Sequence, residues 1–156
     1  MESSAEPILV SACLLGEKCR HDGRDSLDKR IKRLSSNVPM VVFCPEVESG
    51  LSIPREPCEI MGGDGCDVLD NKARVLAEDG SDLSIFYLEG ARVALEKAKL
   101  NCAKRAILKE NSPSCGATNI YDGTFKGLLR PGQGVTAAML RRWGLKVSSD
   151  EYLEYY

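Results

Sequence analysis

The residues of this 156-residue chain that most clearly point to chemistry are its cysteines. There are seven, at positions 13, 19, 44, 58, 66, 102 and 115. An odd number of cysteines argues against a disulfide framework, and the polar, acidic residues 1–7 do not resemble an export signal. We therefore expect a reducing, cytoplasmic setting, in which thiols serve as core side chains, reactive groups or metal ligands.

Three of the cysteines lie at the ends of short apolar segments that are predicted as buried strands. These are Cys13, Cys44 and Cys115, which follow the segments 8–12, 40–43 and 105–109. In an open sheet of parallel strands, the carboxyl ends of neighbouring strands meet at one edge, and ligands bind there. The topology therefore predicts that these three thiols converge at a binding site, although they are far apart in the sequence.

Two other interpretations of these thiols stay open on this evidence. They can be packed side chains, since free cysteine is among the most buried residue types. Alternatively, Cys19 can join them as a fourth ligand, which would make a non-catalytic module with a closed zinc site or a fully ligated iron–sulfur centre, and the lone His21 can complete a Cys₃His zinc set. Pro and Gly residues beside the three cysteines favour a cluster, because they leave backbone N–H groups free to face its sulfides.

The remaining cysteines are less informative. Cys58 lies in a segment rich in Gly and Pro, 45–65, and Cys66 directly follows it; the sequence assigns neither of them a role. Cys102 comes just before a predicted strand, at the opposite edge of the sheet, where a structural role is expected. A second segment of similar composition spans 110–134. Long loops in compact proteins are usually functional or disordered, and these two carry many residues suited to recognition.

Strands and helices must alternate to place the cysteines in this way. The predicted strands are 8–12, 40–43, 105–109 and 145–148, and the predicted helices are 25–34, 81–101 and 134–143. Ser81 is the expected N-cap of the long helix, and Gly144 follows the end of the last one. The turn at 70–72 predicts a hairpin. This alternation predicts an α/β fold with a mostly parallel sheet, formed by one domain over 1–156 with a flexible segment at 1–6.

Composition excludes several classes of protein. The net charge is −2, with 43% hydrophobic and 28% charged residues, which argues against a strongly basic nucleic-acid-binding protein. No apolar run approaches the roughly 18 residues of a membrane span, so no membrane partner is expected. The Gly-rich motifs GGDG (62–65) and RPGQG (130–134) leave open a protein that binds a phosphorylated ligand. The sequence does not set the oligomeric state.

Beyond single residues, long motifs resemble a bacterial family of iron–sulfur-dependent desulfidases that includes thiouracil desulfidase. The resemblance is collinear from Ile8 to Ser148. The motifs that carry it are VSACLLGEKCRHDG (10–23), CPEVESGLSIPREPCEIMGGDG (44–65), KENSPSCG (109–116), IYDGTFKG (120–127) and RPGQGVTAAMLRRWGLKV (130–147).

The resemblance implies a Rossmann-like three-layer fold and a 4Fe–4S cluster with one iron not bound by protein. The residues that match the family's cluster ligands are Cys13, Cys44 and Cys115. Cys19 matches a recurring cysteine that is not a ligand, and is expected near the cluster. Glu46 and Ser112 match the residues proposed for catalysis. His21 departs from the family, whose members often have Tyr there.

The implied activity is the non-redox, hydrolytic removal of sulfur from a small thiolated substrate such as thiouracil. An iron without a protein ligand is an open Lewis-acid position, which suits a soft thiocarbonyl sulfur. Glu46 is expected to handle the protons of the attacking water. Ser112 is expected to hydrogen-bond the heterocycle or to cap its own turn. Arg55 and Lys109 are charged candidates at the same edge, where they can equally pair with acidic residues.

Overall fold

The structure is a computed structural model that describes residues 6–153, so the predicted flexible segment 1–6 lies outside the described residues except for Glu6. Along the chain, the elements are β1 (Ile8–Ser11), a 3₁₀ turn (Ala12–Leu15), α1 (Lys29–Leu34), β2 (Met40–Phe43), α2 (Pro45–Glu48), β3 (Cys58–Met61), α3 (Gly65–Leu69), β4 (Arg74–Ala77), α4 (Ser84–Leu100), β5 (Arg105–Leu108), β6 (Asn119–Tyr121), β7 (Leu129–Pro131), α5 (Val135–Arg142) and β8 (Lys146–Ser149).

A parallel sheet of four strands forms the centre of the molecule, in the order β2-β1-β5-β8. These are the four strands that the sequence predicts, with each boundary within one residue. The register pairs Ser11 with Phe43 and Val10 with Ile107. The carboxyl ends of β1, β2 and β5 therefore lie side by side.

Helices cover both faces of this sheet. On one face, α4 and α5 pack through Ala94, Ala98 and Leu140 against Leu9, Ala106 and Leu108. On the other face, the 3₁₀ turn and α1 contribute Leu14 and Ile31, which pack against Ile8, Val10 and Ile107. The result is the three-layer α/β arrangement of a Rossmann-like fold. Within residues 6–153, no helix combines the length and the apolar character needed to span a membrane.

The long helix α4 begins three residues later than the predicted N-cap Ser81. Asp82 forms an antiparallel bridge with Leu76, so this part of the chain extends the β4 ribbon before the helix starts. The Asp82 carboxylate then accepts the backbone N–H of Ser84 at 2.9 Å. Helix α5 ends as predicted, with Gly144 at a φ of +89° directly after its C-cap.

The predicted hairpin around residues 70–72 is wrong. Helix α3 occupies the segment before this turn, because Asp64 caps the helix and forms a reciprocal capping box with Asp67. The antiparallel partner of β4 is β3, which lies on the other side of α3. The segments 45–65 and 110–134 are also not plain loops, since the first contains α2 and β3 and the second contains the hairpin β6–β7.

Helix α2 is fixed against α4 by a close approach of their backbones. A Cβ atom at Gly90 would lie 2.4 Å from the carbonyl oxygen of Pro45, so only glycine fits at this position of α4. Gly90, Ala94 and Ala98 recur every fourth residue on the buried face of α4. This contact sets the position of Glu46, the second residue of α2, at the carboxyl end of β2.

Candidate active site

The carboxyl ends of β1, β2 and β5 border a cavity of about 440 Å³. The three candidate cysteines line it, as the topology predicts. The other residues that the sequence singles out and that line the same cavity are Cys19, His21, Glu46, Arg55, Cys58, Lys109 and Ser112. Residues from three strand ends and from both long connecting segments therefore meet in one place.

Turns directly after the strands hold Cys13 and Cys44. Cys13 lies in the 3₁₀ turn, and its carbonyl oxygen accepts the N–H groups of Gly16 at 3.2 Å and Ser26 at 2.9 Å. Gly16 ends this turn with a φ of +99°, a conformation that glycine adopts without steric cost. Cys44 is the N-cap residue of α2, and its N–H donates to Glu48 at 2.9 Å. Both thiols are thus fixed at the edge of the sheet.

Ser112 organises the turn that carries Cys115. Its hydroxyl oxygen accepts the backbone N–H groups of Ser114 and Cys115, both at 3.1 Å. The carbonyl of Ser112 also accepts the N–H of Gly116 at 2.8 Å. Ser112 therefore caps its own turn, which is one of the two roles that the sequence leaves open.

The start of α5 holds the same turn from the other side. The free N–H groups at a helix start need acceptors, and here Val135 donates to Pro113 at 2.8 Å and Thr136 donates to Ser114 at 2.9 Å. A Cβ at Gly134 would lie 2.5 Å from the backbone of Ser114. The loop after β5 is therefore clamped onto α5 instead of being a free surface loop.

The thiols of Cys19, Cys44 and Cys115 in this cavity have raised pKa values. Burial raises the pKa of Cys115 to about 12. The neighbouring Cys13 thiol is the main cause that raises the pKa of Cys19 to about 11. The pKa of Cys44 is also raised, first by the Cys19 thiol and then by burial. Binding of a cationic centre here would release protons, since metal ligands must be thiolates.

These donors fit an iron–sulfur cluster. Cys13 and Cys115 are buried and Cys44 is partly buried, so three soft sulfur donors surround one cavity. Among residues 6–153, no three His, Cys, Asp or Glu side chains are placed to hold a single metal ion together.

A hydrogen-bonded chain of side chains reaches the carboxylate of Glu46. Its Oε1 accepts Arg55 Nε at 3.0 Å and the Tyr87 hydroxyl at 3.2 Å. Its Oε2 accepts the Ser114 hydroxyl at 2.7 Å, and Ser114 Oγ lies 2.8 Å from Ser112 Oγ. Because the single Ser114 proton is donated to Glu46, the hydroxyl of Ser112 is the donor to Ser114. The two serines therefore lead from the Cys115 turn to the carboxylate.

The two charged candidates both pair with acidic residues and both line the cavity. Arg55 binds Glu46, and its guanidinium also donates to the carbonyl of Cys19 at 2.8 Å. Lys109 Nζ lies 3.3 Å from the carboxylate of Asp150. Arg55 thereby connects the Glu46 carboxylate to the segment that carries Cys19. Lys109 instead pairs with Asp150, which follows β8, the neighbour of β5 on the side away from β1.

The other three cysteines differ in whether they line the cavity and in how exposed they are. Cys58 lines the cavity and is buried. Cys66 lies outside it, where its sulfur accepts the side-chain amide of Gln133 at 3.2 Å. Cys102 lies at the far end of β5, as expected, but its side chain is exposed, so it is not a packed core residue.

The two Gly-rich motifs bind each other. Gly65 N–H donates to the carbonyl of Gln133 at 2.7 Å, and a Cβ at Gly65 would lie 2.1 Å from the carbonyl oxygen of Gly134. The carboxylate of Asp64 accepts the N–H groups of Cys66 and Gln133. These backbone donors already have a carboxylate and carbonyls as acceptors, so the motifs give no support to the phosphate-binding alternative.

Sequence reasoning missed Ser114 and Tyr87. Ser114 lies next to Cys115 within the motif KENSPSCG (109–116), and this position beside a candidate ligand could have identified it as a site residue. Tyr87 is 41 residues from Glu46, and a hydrogen bond between them has no local signature.

Comparison with known proteins gives three matches along most of the chain. A family model described as 2-thiouracil desulfurase matches residues 8–152. The uncharacterized protein YbbK of Bacillus subtilis (strain 168) is 47% identical over 146 residues, which cover 94% of this chain and 97% of YbbK. Among solved structures, the 4Fe-4S-dependent thiouracil desulfidase TudS (DUF523Vcz) is similar, with a TM-score of 0.83, 38% identity, and coverage of 94% and 91% of the two chains.

Proposed function

Because this chain belongs to the 2-thiouracil desulfurase family, we propose that it is an iron–sulfur-dependent desulfidase that hydrolyses a small thiolated heterocycle such as thiouracil. The observation that supports this most is the presence, in one cavity, of three sulfur donors from three strand ends and of the Glu46 carboxylate. A site built only to transfer electrons or to hold zinc would not need that carboxylate beside the thiols.

In this proposal, Cys13, Cys44 and Cys115 hold the cluster, and Cys19 is a neighbouring thiol that does not bind iron. When bound, a 4Fe–4S cluster with one iron free of protein ligands supplies a Lewis-acid position for the thiocarbonyl sulfur of the substrate. The similarity to TudS, which is described as 4Fe-4S-dependent, supports this cofactor. The three ligands would bind the cluster as thiolates, so its assembly would release protons.

The overall reaction exchanges sulfur for oxygen without a change in oxidation state. Water adds to the thiocarbonyl carbon, the carbon–sulfur bond breaks, and the products are a carbonyl compound and hydrogen sulfide. Both protons of the attacking water leave its oxygen as the new carbonyl forms, and both are delivered to the departing sulfur. A single carboxylate can serve both steps if it is held close to the reacting carbon.

Glu46 is the residue proposed for this role. Arg55 and Tyr87 fix Oε1, so the carboxylate cannot rotate freely, and Oε2 is the atom that takes up and returns the proton. Ser114 stabilises the charge on Oε2, and Ser112 orients Ser114. Ser112 lines the cavity, so its hydroxyl oxygen can also contact the heterocycle.

The test is sulfide release by protein purified and reconstituted without oxygen. Iron and acid-labile sulfide are measured on the same sample, and 2-thiouracil, 4-thiouracil and their nucleosides are offered as substrates. We expect equal amounts of sulfide and of the corresponding oxygen compound, with no added reductant. An intact cluster with no sulfide release from any of these compounds would contradict the proposal.

A further inference from the structure

Phe125 combines two features that rarely occur together. Phe125 lines the same cavity as the cysteines, and its backbone has a φ of +59°, in the left-handed region. An aromatic residue is strained in this region, whereas glycine adopts it freely. The same loop has glycine at two nearby positions with positive φ, Gly123 at +93° and Gly127 at +74°. A turn that only needed this backbone shape would be better served by glycine at position 125 as well.

Packing of the protein core does not account for the ring. Phe125 is only partly buried, and it belongs to none of the three hydrophobic clusters formed by the described residues. Of the other Phe and Tyr residues that line the cavity, Phe43 and Tyr87 belong to these clusters, and Tyr121 does not. The side chain of Phe125 is therefore held at the cavity wall at a cost in backbone strain that core packing does not offset.

Glu59 holds this strained segment in place. Glu59 is 8% exposed in β3, and its Oε1 accepts the N–H of Gly123 at 2.9 Å and of Phe125 at 3.2 Å. A Cβ at Gly123 would lie 2.9 Å from the carbonyl oxygen of Ile60, so the loop rests directly on β3. A buried carboxylate thus fixes two backbone N–H groups on either side of Thr124, and the ring of Phe125 is set by a rigid anchor.

We propose that Phe125 is a substrate-binding residue whose ring stacks on the flat heterocycle, and that Glu59 is the residue that positions it. This inference rests on the proposed function, because a planar thiolated heterocycle is the ligand that an aromatic face would recognise. Stacking restricts the ring of the substrate to one plane, which leaves the thiocarbonyl group free to face the cysteines. Stacking of a base on an aromatic side chain is independent of its edge groups, so the same contact serves 2-thio and 4-thio compounds.

The test replaces the ring while the loop is kept. Phe125→Leu retains an apolar side chain without an aromatic face, Phe125→Tyr restores the face, and Phe125→Gly removes both the ring and the backbone strain. Lys126→Ala is the matched control, because Lys126 is the exposed neighbour and does not line the cavity. Calorimetric titration with uracil and with 2-thiouracil gives Kd for each cluster-loaded protein, and sulfide release gives KM and kcat.

In Phe125→Leu and Phe125→Gly, Kd and KM should rise about 5- to 100-fold, the range expected for the loss of one stacked base, while kcat stays close to wild type. Phe125→Tyr and Lys126→Ala should bind like wild type. Phe125→Gly should melt at or above the wild-type temperature, since the strain is relieved, so weak binding in this variant cannot be a folding defect. Glu59→Ala should raise KM as Phe125→Leu does, while Glu59→Gln, which keeps an acceptor oxygen, should restore binding.

Unchanged Kd and KM in Phe125→Leu would overturn the inference, as would a loss confined to kcat. A wild-type protein that binds neither uracil nor 2-thiouracil would overturn it too. If the wild type binds these compounds but releases no sulfide, the proposed function fails, and the binding data alone decide whether Phe125 stacks on the ligand.

Discussion

The hydroxyl of Ser114 donates a hydrogen bond of 2.7 Å to Oε2 of Glu46, across a sequence separation of 68 residues. Ser114 precedes Cys115, and its Oγ lies 3.8 Å from the Cys115 sulfur. Glu46 follows Cys44 by two residues. The bond therefore joins the loop after β5 to the helix after β2, and it connects the two segments that carry sulfur donors. The proposed acid–base group and the proposed cluster ligands are held by the same contacts.

Glu46→Gln should keep the cluster and lose most of the turnover. Glutamine has the size of glutamate and can still accept from Arg55, but it cannot take up a proton from water. General acid–base groups typically contribute roughly 10²–10⁴-fold, so sulfide release should fall by that factor. Iron content and thermal melting of the same sample show whether the site is intact. Glu56→Gln, at an exposed carboxylate of the adjoining segment, is the control, and full activity in Glu46→Gln would remove this residue from the mechanism.

Ser114→Ala should lower activity while iron content stays near wild type. The variant removes a hydrogen bond to a carboxylate, for which about 1.5–3 kcal/mol is typical, so turnover should fall roughly 10- to 100-fold. Ser112→Ala is the informative contrast, because it removes the acceptor for two backbone N–H groups of the Cys115 turn. Ser112→Ala should have a lower melting temperature and a lower iron content than wild type. Equal iron loss in both variants would show that Ser114 also acts through the turn.

The α/β fold and the meeting of the cysteines could be predicted because both depend on local patterns and one topological rule. Each buried strand is a short apolar run that ends at a turn-forming residue, and parallel strands place those ends together. The resemblance to a known family then added the cofactor. Features that depend on local sequence alone, such as Gly144 at the end of α5, were also predicted correctly.

Features set by specific pairing contacts, and not by local propensity, could not be predicted. The start of α4 depends on the bridge between Leu76 and Asp82, which competes with helix formation at the predicted cap. The pairing of β3 with β4 crosses the intervening helix α3, so the turn between the helix and β4 looked like a hairpin. The positive φ of Phe125 is held by the hydrogen bonds that Gly123 and Phe125 donate to Glu59. Glu59 is 66 residues from Phe125, and an aromatic residue type gives no sign of a positive φ.

Replacing any one of the three proposed ligands with serine should abolish bound iron. Serine is a poor ligand for the iron of a cluster that is held by thiolates, so Cys13→Ser, Cys44→Ser and Cys115→Ser should lose the broad visible absorption as well. Cys102→Ser is the control, since this exposed cysteine lies at the other end of β5. Full iron content in Cys13→Ser protein made without oxygen would show that the ligand assignment is wrong.

Cys19→Ala should retain the cluster and change activity. Cys19 lines the same cavity as Cys13 and Cys44, and in the proposed function it is a neighbouring thiol that does not bind iron. Iron content and visible absorption measure the first expectation, and sulfide release measures the second. Loss of iron in this variant would instead support a centre with four cysteine ligands, which has no open position for a substrate.

Glu110 should make the loop around Cys115 sensitive to acid. Its side chain is 1% exposed, and Oε1 accepts the N–H groups of Ala117, Thr118 and Asn119 at 2.8, 2.8 and 3.0 Å. Burial alone would raise the pKa of this carboxyl, but the backbone donors outweigh it and hold the pKa below its ordinary value. In the unfolded chain, this carboxyl has a pKa of about 4.3, and above that pH its charged form stabilises the fold. The stabilisation is lost as the pH falls through the lower pKa of the folded protein.

Glu110→Gln should therefore cost stability at neutral pH, by on the order of 2 kcal/mol for hydrogen bonds that lose their charged acceptor. The difference in melting temperature from wild type should be largest at pH 7 and should shrink below about pH 4, where the wild-type carboxylate also takes up its proton. Glu96→Gln is the control, because its ion pair with Arg92 is exposed and such pairs contribute little. A difference that stays constant from pH 7 to pH 3 would mean that the charge of Glu110 does not stabilise the loop.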